Sequence, residues 1–362
     1  MKNNLLIDVK NLGQSLWLDF ISSKLLTSGE LDELIEDGLM GLTSNPAIFE
    51  QAISKTNDYD DNILALKEQG CIDPKLIYEA LAIDDIKKAC DKFAHVYEQT
   101  NKTDGFVSLE LDPSLAFDVA GSVAEAKKLH KSINRKNLMI KVPATPEGMK
   151  VIYELILLGM NVNVTLLFSV EAYKNANKAY IDAIKERVKK GLEIAHINSV
   201  ASFFLSRIDT KADKFIKTKG KLALMNAKKA YLEFMNFYDQ TEIKELLNKG
   251  LNPQRLLWAS TSTKNPEYDD LLYVQNLIGK HTVNTIPPST LKIFMQKGSA
   301  CMSVLDDSEK IVDFFKDLEK QGINIDRITD ELLDEGLDIF KKAFMNLLES
   351  VKLKALSLQK KN

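Results

Sequence analysis

Short apolar or alternating segments are separated by longer segments of helical periodicity along the whole chain. Alternation in steps of two is typical of strands, whereas apolar positions three and four apart are typical of helices. Eight segments have the strand pattern: Ser15–Phe20, Leu39–Ser44, Phe106–Asp112, Leu138–Pro143, Asn161–Phe168, Ile197–Phe204, Arg255–Ser260 and His281–Ile286. Because helical segments lie between them without Pro/Gly/Ser-rich linkers, the pattern predicts an α/β fold, a parallel (β/α)8 TIM barrel.

Two connections are longer than a simple strand–helix unit requires. They cover about residues 50–105 and 208–253, and their helical periodicity predicts helical insertions rather than unstructured loops. The tail, about residues 306–358, has the same periodicity, and we expect it to pack as helices on the outside of the barrel. The length of 362 residues alone would allow one or two domains. The unbroken alternation favours one domain over residues 1–362.

Polar side chains recur with a period of two near the carboxyl ends of several predicted strands. Helices cover the outward face of a parallel barrel, so polar residues at these positions should point inward to a site. Asp19 and Glu110 are such residues on the first and third strands. Lys141 is the corresponding residue of the fourth strand, and Asn163 and Thr165 share one face of the fifth. The pattern therefore predicts a polar site at one end of the barrel.

Lys141 is unusual because its strand is otherwise apolar. A buried ammonium group needs a partner, so one explanation is a structural ion pair with Glu110 or Asp19. The other explanation is chemical. Burial favours the neutral amine, which can attack a ketone and form a Schiff base that permits cleavage or formation of a carbon–carbon bond. The two carboxylates would then carry the protons that these steps require.

Two cations follow the sixth and seventh predicted strands, in the region where barrels often bind phosphate. Arg207 comes soon after Ser202 and Phe204, which are in phase on the sixth strand. Lys264 is in phase with Ser262 beyond the seventh strand. Either cation alone could be an ordinary surface residue. Together, beside an imine-forming lysine, they favour a phosphate site.

The composition limits the classes of molecule with which the protein is expected to interact. The 48 basic and 51 acidic residues give a net charge of −3 and form no broad positive face for nucleic acid. No uncharged apolar run reaches the roughly 18 residues of a membrane span, so we expect a cytoplasmic protein. The three cysteines are expected to be reduced thiols, and the four histidines lack metal-ligand spacing. No apolar seam decides between a monomer and a homodimer.

Three motifs, in order along the chain, resemble those of the transaldolase family. They are Gly41–Pro46 with the sequence Gly-Leu-Thr-Ser-Asn-Pro, Met139–Gly148 around Lys141, and Asn161–Ser169 on the fifth strand. The resemblance runs from about Ser15 to Leu291. It implies transfer of a dihydroxyacetone unit from sedoheptulose 7-phosphate to glyceraldehyde 3-phosphate, giving erythrose 4-phosphate and fructose 6-phosphate in the pentose phosphate pathway. It implies no cofactor and no metal.

The resemblance also implies roles for individual residues. Lys141 would form the imine, and Asp19 would act as acid and base on the hydroxyl at the cleaved bond. Glu110 would act through a water molecule held with Thr165. Lys264 departs from the family pattern, because many members have Arg there. The residues implied at the substrate are Thr43, Asn45, Asn163, Ser202, Phe204, Arg207, Ser262 and Lys264.

Two alternatives to a transaldolase remain at this point. One is a lyase of the same fold that cleaves fructose 6-phosphate and releases dihydroxyacetone. Short relatives of that type tend to have Tyr at the position of Phe204 and Gln at the position of Glu110, so both residues favour the transferase. The other alternative is a barrel that binds sugar phosphates without catalysis, in which Lys141 would be only an ion-pair partner.

Overall fold

A computed structural model describes residues 4–358 of the chain. The ends of the predicted domain, residues 1–3 and 359–362, lie outside this part. Eight parallel strands pair in sequence order and close into a barrel, so the predicted fold class is confirmed. The strands are β1 (Gln14–Asp19), β2 (Gly41–Thr43), β3 (Phe106–Glu110), β4 (Leu138–Pro143), β5 (Asn161–Leu167), β6 (Ser199–Phe204), β7 (Arg255–Ala259) and β8 (Thr282–Ile286).

Helices follow the strands and fill both long connections. The α-helices are α1 (Leu5–Asn11), α2 (Ser23–Thr27), α3 (Glu30–Glu36), α4 (Pro46–Lys55), α5 (Asp60–Glu68), α6 (Pro74–Gln99), α7 (Val119–Ile133), α8 (Pro146–Leu157), α9 (Val170–Lys189), α10 (Ser206–Ala212), α11 (Leu222–Tyr238), α12 (Thr241–Asn248), α13 (Leu272–Gln275), α14 (Pro288–Lys297), α15 (Ile311–Lys320) and α16 (Ile325–Ser357). Short 3₁₀ helices cover Pro113–Leu115 and Ser308–Lys310. The predicted insertions are helical, with α5 and α6 in the first and α11 and α12 in the second.

Side-chain caps start helices directly after the strands that carry the site. The Asn45 side chain accepts a hydrogen bond from the Ile48 N–H at 3.0 Å, at the start of α4. The Thr145 hydroxyl accepts one from the Gly148 N–H at 2.9 Å, at the start of α8. Proline is the first helical residue in both cases, where its missing N–H costs no hydrogen bond. These caps keep the turns after β2 and β4 short.

The strand register brings the polar residues to one level inside the barrel. Asp19 of β1 pairs with Thr43 of β2, and Glu110 of β3 pairs with Lys141 of β4. Lys141 in turn pairs with Asn163 of β5. Paired residues of neighbouring parallel strands point to the same face of the sheet. The inward direction predicted from the period of two is therefore confirmed for these strands.

A polar network closes the opposite, amino-terminal end of the barrel. The Asp104 carboxylate accepts hydrogen bonds from the Ser15 hydroxyl and from the Trp17 indole N–H, the latter at 2.8 Å. The Arg255 guanidinium donates to Asp104 Oδ2 at 3.2 Å. The Trp17 ring fills the interior so tightly that a Cβ at position 41 would lie 2.7 Å from it, which explains Gly41. The polar site therefore opens at the carboxyl end.

The C-terminal helix differs from the prediction that the tail packs on the outside of the barrel. Helix α16 packs against α4 and α10, which begin at the carboxyl ends of β2 and β6, and so crosses the barrel mouth. Lys211 of α10 forms ion pairs with Glu331 and Glu335 of α16, at 2.8 and 2.7 Å. Near the other end, Lys354 pairs with Asp60 at 2.9 Å. The prediction was wrong because helical periodicity does not report which surface a helix covers.

Several classes of site are absent from the described part of the chain. No helix within residues 4–358 has both the length and the apolar character needed to cross a membrane. The same residues contain no cluster of three or more His, Cys, Asp or Glu side chains arranged to hold a metal ion. Cys71, Cys90 and Cys301 are all free. No disulfide therefore joins these three cysteines.

Asp85 joins the first insertion to the start of α2. Its side chain is buried in α6 and accepts a hydrogen bond from the Tyr59 hydroxyl at 2.7 Å. The Tyr59 oxygen accepts the Ser23 N–H at 2.9 Å. Burial raises the pKa of Asp85 to about 6, although the Tyr59 hydrogen bond acts in the opposite direction. The folded protein therefore binds this proton more tightly than the unfolded chain does.

The raised pKa of Asp85 predicts a stability change between pH 5 and pH 7.5. Because the folded pKa lies above the unfolded value, stability falls as the pH rises through this range, by about 1 kcal/mol for this group. The Asp85→Asn variant lacks this titration. Urea titrations measure the unfolding free energy of both proteins. The value for the wild type minus the value for the variant should be larger at pH 5 than at pH 7.5. An equal difference at both pH values would contradict the raised pKa.

Candidate active site

A cavity of about 230 Å³ lies at the carboxyl end of the barrel, beneath α16. Ten of the twelve residues predicted for the site line its wall: Asp19, Thr43, Asn45, Lys141, Thr165, Ser202, Phe204, Arg207, Ser262 and Lys264. The remaining two lie immediately behind this wall. Glu110 contacts Lys141, and Asn163 contacts Ser202. The predicted residues come from seven strands and the segments that follow them, and the structure brings them close together.

Lys141 is held by two oxygen atoms while its side chain lines the cavity. The Nζ atom donates a hydrogen bond to the Ser44 carbonyl oxygen at 3.0 Å and lies 3.5 Å from Glu110 Oε2. The Ser44 hydroxyl donates to the Ser108 carbonyl oxygen at 2.8 Å, which orients the turn after β2. Only 6% of the Lys141 surface is exposed. The predicted ion pair with Glu110 exists, and it leaves the amine beside the cavity.

Asp19 is oriented by a chain of hydroxyl groups. The Thr43 hydroxyl donates to Asp19 Oδ1 at 2.7 Å, and Thr285 Oγ1 lies 2.6 Å from Thr43 Oγ1. A hydroxyl has one proton to donate, so Thr285 is the donor to Thr43. Burial raises the pKa of Asp19, while the positive charge of Lys141 and the Thr43 hydrogen bond counteract this shift. The carboxylate can therefore accept or release a proton nearer to neutral pH.

Glu110 is a second carboxylate with a perturbed proton affinity. Burial raises the pKa of Glu110, and the nearby Lys141 amine opposes the shift.

The Thr165 hydroxyl, on the cavity wall, is buried and has no hydrogen-bond partner among the described residues. A buried hydroxyl without a protein partner is suited to a water molecule or a substrate oxygen.

The two asparagines have different positions. The Asn163 side chain is 0% exposed; its Nδ2 donates to the Ser108 hydroxyl at 3.1 Å, and its Oδ1 accepts from the Ser202 hydroxyl at 2.7 Å. It lies under the wall and orients Ser202. Asn45 is on the wall itself, and only its Oδ1 atom is used by the cap of α4. Its NH₂ group takes no part in this cap.

One end of the cavity carries positive charge. Arg207 lies in α10, just after β6, and its guanidinium group is 5.5 Å from the centre of the Phe204 ring. Across the cavity wall, Lys264 Nζ donates to the Ser262 hydroxyl at 2.9 Å. The backbone of Ser260 has a φ of 55°, an uncommon left-handed conformation at the turn that follows β7. Two cations and a hydroxyl thus converge where a phosphate was expected.

Comparison with known proteins connects this geometry to a family. Residues 16–351 match the family described as Transaldolase/Fructose-6-phosphate aldolase. A transaldolase from Trichodesmium erythraeum is 43% identical, with 99% of both chains covered. A transaldolase from Neisseria gonorrhoeae is also 43% identical, over 95% of this chain and 98% of the relative. The protein named Transaldolase 2 from Nostoc punctiforme is 42% identical over 99% of this chain and 100% of the relative.

The chain belongs to the transaldolase/fructose-6-phosphate aldolase family. The resemblance predicted from three motifs is therefore confirmed. In the structure each family motif joins a strand to the helix that follows it: Gly41–Pro46 joins β2 to α4, Met139–Gly148 joins β4 to α8, and Asn161–Ser169 includes β5. All three end at the barrel mouth, so their polar residues meet at one cavity.

Several residues of this family site were not predicted. Ser108 and Thr285 form hydrogen bonds within it, and both point inward with the period of their strands. The same alternation that indicated Glu110 could have identified them. Helix α16 adds the apolar wall residues Ile339, Phe340 and Ala343. No local pattern indicates that a helix nearly 200 residues after Lys141 contributes to the cavity, so the sequence contained no signal for them.

Proposed function

We propose that this protein is a transaldolase. It transfers a dihydroxyacetone unit from sedoheptulose 7-phosphate to glyceraldehyde 3-phosphate, giving erythrose 4-phosphate and fructose 6-phosphate in the non-oxidative pentose phosphate pathway. The proposal rests mainly on one observation. The buried Lys141 lines a cavity together with Asp19, Arg207 and Lys264, and it contacts Glu110. Membership of the family and full-length relatives named transaldolase support a transferase of ketonic groups.

In the first step, the neutral Lys141 amine attacks the carbonyl carbon of the ketose. A carbon–nitrogen bond forms, and the carbonyl oxygen becomes a hydroxyl that must leave as water. Glu110, 3.5 Å from Nζ, first takes one proton from the Lys141 ammonium group and so frees the amine for attack. Through a water molecule it then passes this proton and a second one from the nitrogen to the former carbonyl oxygen, which leaves as water. The unpartnered Thr165 hydroxyl supports the placement of the relaying water molecule. The product is a protonated imine.

In the second step, Asp19 removes the proton from the hydroxyl next to the bond that breaks. The electrons of the carbon–carbon bond move to the protonated imine, which becomes an enamine, and the aldose phosphate leaves with a new carbonyl group. Thr43 donates to the carboxylate at 2.7 Å and holds it in one orientation. Attack of the enamine on the acceptor aldehyde reverses these movements, and Asp19 returns the proton. Hydrolysis of the final imine regenerates Lys141.

The remaining residues bind and orient the sugar. Asn45 and Ser202 form hydrogen bonds with the hydroxyl groups of the bound unit, and Asn163 acts by orienting Ser202 at 2.7 Å. Phe204 lies beside the chain of the sugar. The phosphate is bound by Arg207, Ser262 and Lys264 at the positively charged end of the cavity. Because Lys264 is a point charge, only Arg207 can bind a phosphate with two parallel hydrogen bonds.

We also propose that residues 1–362 act as one domain in the cytoplasm. Helix α16 is tied to the barrel at both of its ends, through Lys211 and Lys354, which supports a single unit. The free thiols support a reducing compartment.

The proposed Schiff base predicts a covalent adduct after borohydride reduction with fructose 6-phosphate. Peptide mapping should find the adduct on Lys141 and not on Lys228, a second lysine that is only 4% exposed and whose pKa is lowered by burial. Lys228 controls for reactivity that comes from burial alone. The Lys141→Met variant should lose both adduct and turnover. If no adduct forms on wild-type Lys141, a barrel that binds sugar phosphates without catalysis replaces the proposal.

The transferase is separated from a lyase by the dependence on acceptor. With fructose 6-phosphate alone, release of dihydroxyacetone should be slow, and addition of erythrose 4-phosphate should produce sedoheptulose 7-phosphate at a much higher rate. Chromatography of the products measures both rates. Turnover that does not depend on the acceptor would identify a fructose 6-phosphate aldolase instead.

The environment of Asp19 predicts the acid limb of the pH profile. Protonation removes the basic form of Asp19, so kcat should fall as the pH drops below its raised pKa. The Thr43→Val variant loses the hydrogen bond that stabilises the carboxylate, and its acid limb should lie at higher pH than that of the wild type. Superimposable profiles would argue against Asp19 as the titrating base.

The phosphate site predicts a split between kcat and KM. Replacement of Lys264 in the Lys264→Ala variant should raise KM for glyceraldehyde 3-phosphate about tenfold, with kcat nearly unchanged, because the cation binds a group remote from the reaction. Lys214 lines a neighbouring groove but not the cavity. The Lys214→Ala variant is therefore the matched control and should keep the wild-type KM. Equal KM values in all three proteins would place Lys264 outside the site.

A further inference from the structure

Arg207 is held between two aromatic rings that come from distant parts of the chain. The guanidinium carbon lies 5.5 Å from the centre of the Phe204 ring, at the end of β6, and 6.0 Å from that of Phe340 in α16. Its Nη1 atom is buried and has no hydrogen-bond partner among the described residues. The guanidinium therefore has two aromatic neighbours, and its Nη1 keeps N–H donors that are available to a ligand.

Gly336 allows α16 to lie this close to Arg207. A Cβ at this position would be 2.9 Å from Leu166 Cδ2 and 3.6 Å from Arg207 Nη1. Glycine destabilises the interior of a helix, so its presence within the 33 residues of α16 is explained by the close approach. Leu166 itself has a φ of 61°, beside a register irregularity of β5. The helix therefore rests on the barrel directly above the phosphate end.

The acidic residues of α16 in this region pair with a different cation. Glu331 and Glu335 are both bound to Lys211, one helical turn after Arg207 in α10. These ion pairs keep the two helices together. They also hold the carboxylate of Glu335, next to Gly336, on Lys211. Burial lowers the pKa of Arg207, and the negative charges of Glu335 and Glu110 oppose this shift without contacting the guanidinium directly. The result is a desolvated guanidinium with aromatic neighbours and unused donors, which is a strong arrangement for an anion.

We propose that Phe340 is a positioning residue for Arg207, and that α16 thereby sets the preference of the active site for phosphorylated sugars. This inference rests on the proposed transaldolase function and extends it to a residue outside the strand motifs. Phe340 restricts the guanidinium to the plane in which its donors face the cavity. Without the ring, the side chain gains rotamers that do not bind phosphate, so binding weakens while the chemistry at Lys141 is unchanged.

The test uses two acceptors that differ only in the phosphate. Glyceraldehyde 3-phosphate and unphosphorylated glyceraldehyde are compared at saturating sedoheptulose 7-phosphate, because transfer from fructose 6-phosphate to glyceraldehyde 3-phosphate would only regenerate the starting compounds. The Phe340→Leu variant keeps an apolar side chain but no ring, and KM for glyceraldehyde 3-phosphate should rise roughly three- to tenfold, with kcat within a factor of two. KM for glyceraldehyde should not change. The Phe340→Tyr variant keeps the ring and should restore the wild-type KM.

A matched control exists on the neighbouring helix. Phe315 of α15 covers Lys229, with the Nζ atom 4.6 Å from the ring centre, and does not line the cavity. The Phe315→Leu variant removes the same kind of contact and should leave both KM values unchanged. Thermal unfolding checks all variants, and Phe340→Met serves the same comparison if Phe340→Leu does not fold.

The outcomes separate this inference from the proposed function. If the wild type transfers the three-carbon unit but Phe340→Leu retains the wild-type KM for glyceraldehyde 3-phosphate, the inference is wrong and the function stands. Equal losses with both acceptors would also overturn it, because they would indicate a general packing role. If the wild type forms no imine and transfers nothing to either acceptor, both the function and the inference fail.

Discussion

The ammonium group of Lys141 must be accommodated inside the barrel, where only 6% of the residue's surface is exposed. Its two oxygen partners come from the ends of β2 and β3, the Ser44 carbonyl and the Glu110 carboxylate. Ser44 is in turn oriented by its bond to the Ser108 carbonyl oxygen, so three neighbouring strands are linked through one amine. The same partners that make burial of the charge tolerable also keep Nζ at the cavity wall. Structural stability and chemistry thus have the same cause here.

The two ends of the cavity are built from different parts of the fold. The reacting end consists of side chains on paired strands, where the register and the closed hydrogen-bond ladder restrict motion. The end proposed to bind the phosphate consists of residues after β6 and β7 together with one helix from the far end of the chain. A covalent step requires accurately placed atoms, whereas binding a remote phosphate tolerates a less rigid support. The proposed roles agree with this division, since Lys141 and Asp19 lie on strands whereas Arg207 and Lys264 do not.

Much of this architecture could be predicted from local pattern. The strand β4 was predicted with its observed bounds, and the inward direction of Asp19, Glu110 and Lys141 followed from their alternation with apolar neighbours. Asn163 also points inward, but its side chain is 0% exposed and forms hydrogen bonds with Ser108 and Ser202 instead of lining the cavity. A period of two defines the face of a side chain and not its depth. Depth depends on the sizes of the side chains stacked above it.

The amino-acid sequence by itself determined the barrel, the inward residues of its strands and the lysine around which the site forms. These properties depend on backbone geometry over a few residues, where alternation and capping act directly. Only the tertiary structure decided that α16 crosses the mouth and brings Phe340 to Arg207. The contact joins residues 133 positions apart and depends on a close approach at Gly336. Such an approach is set by the packing of whole helices, which no local pattern of the chain expresses.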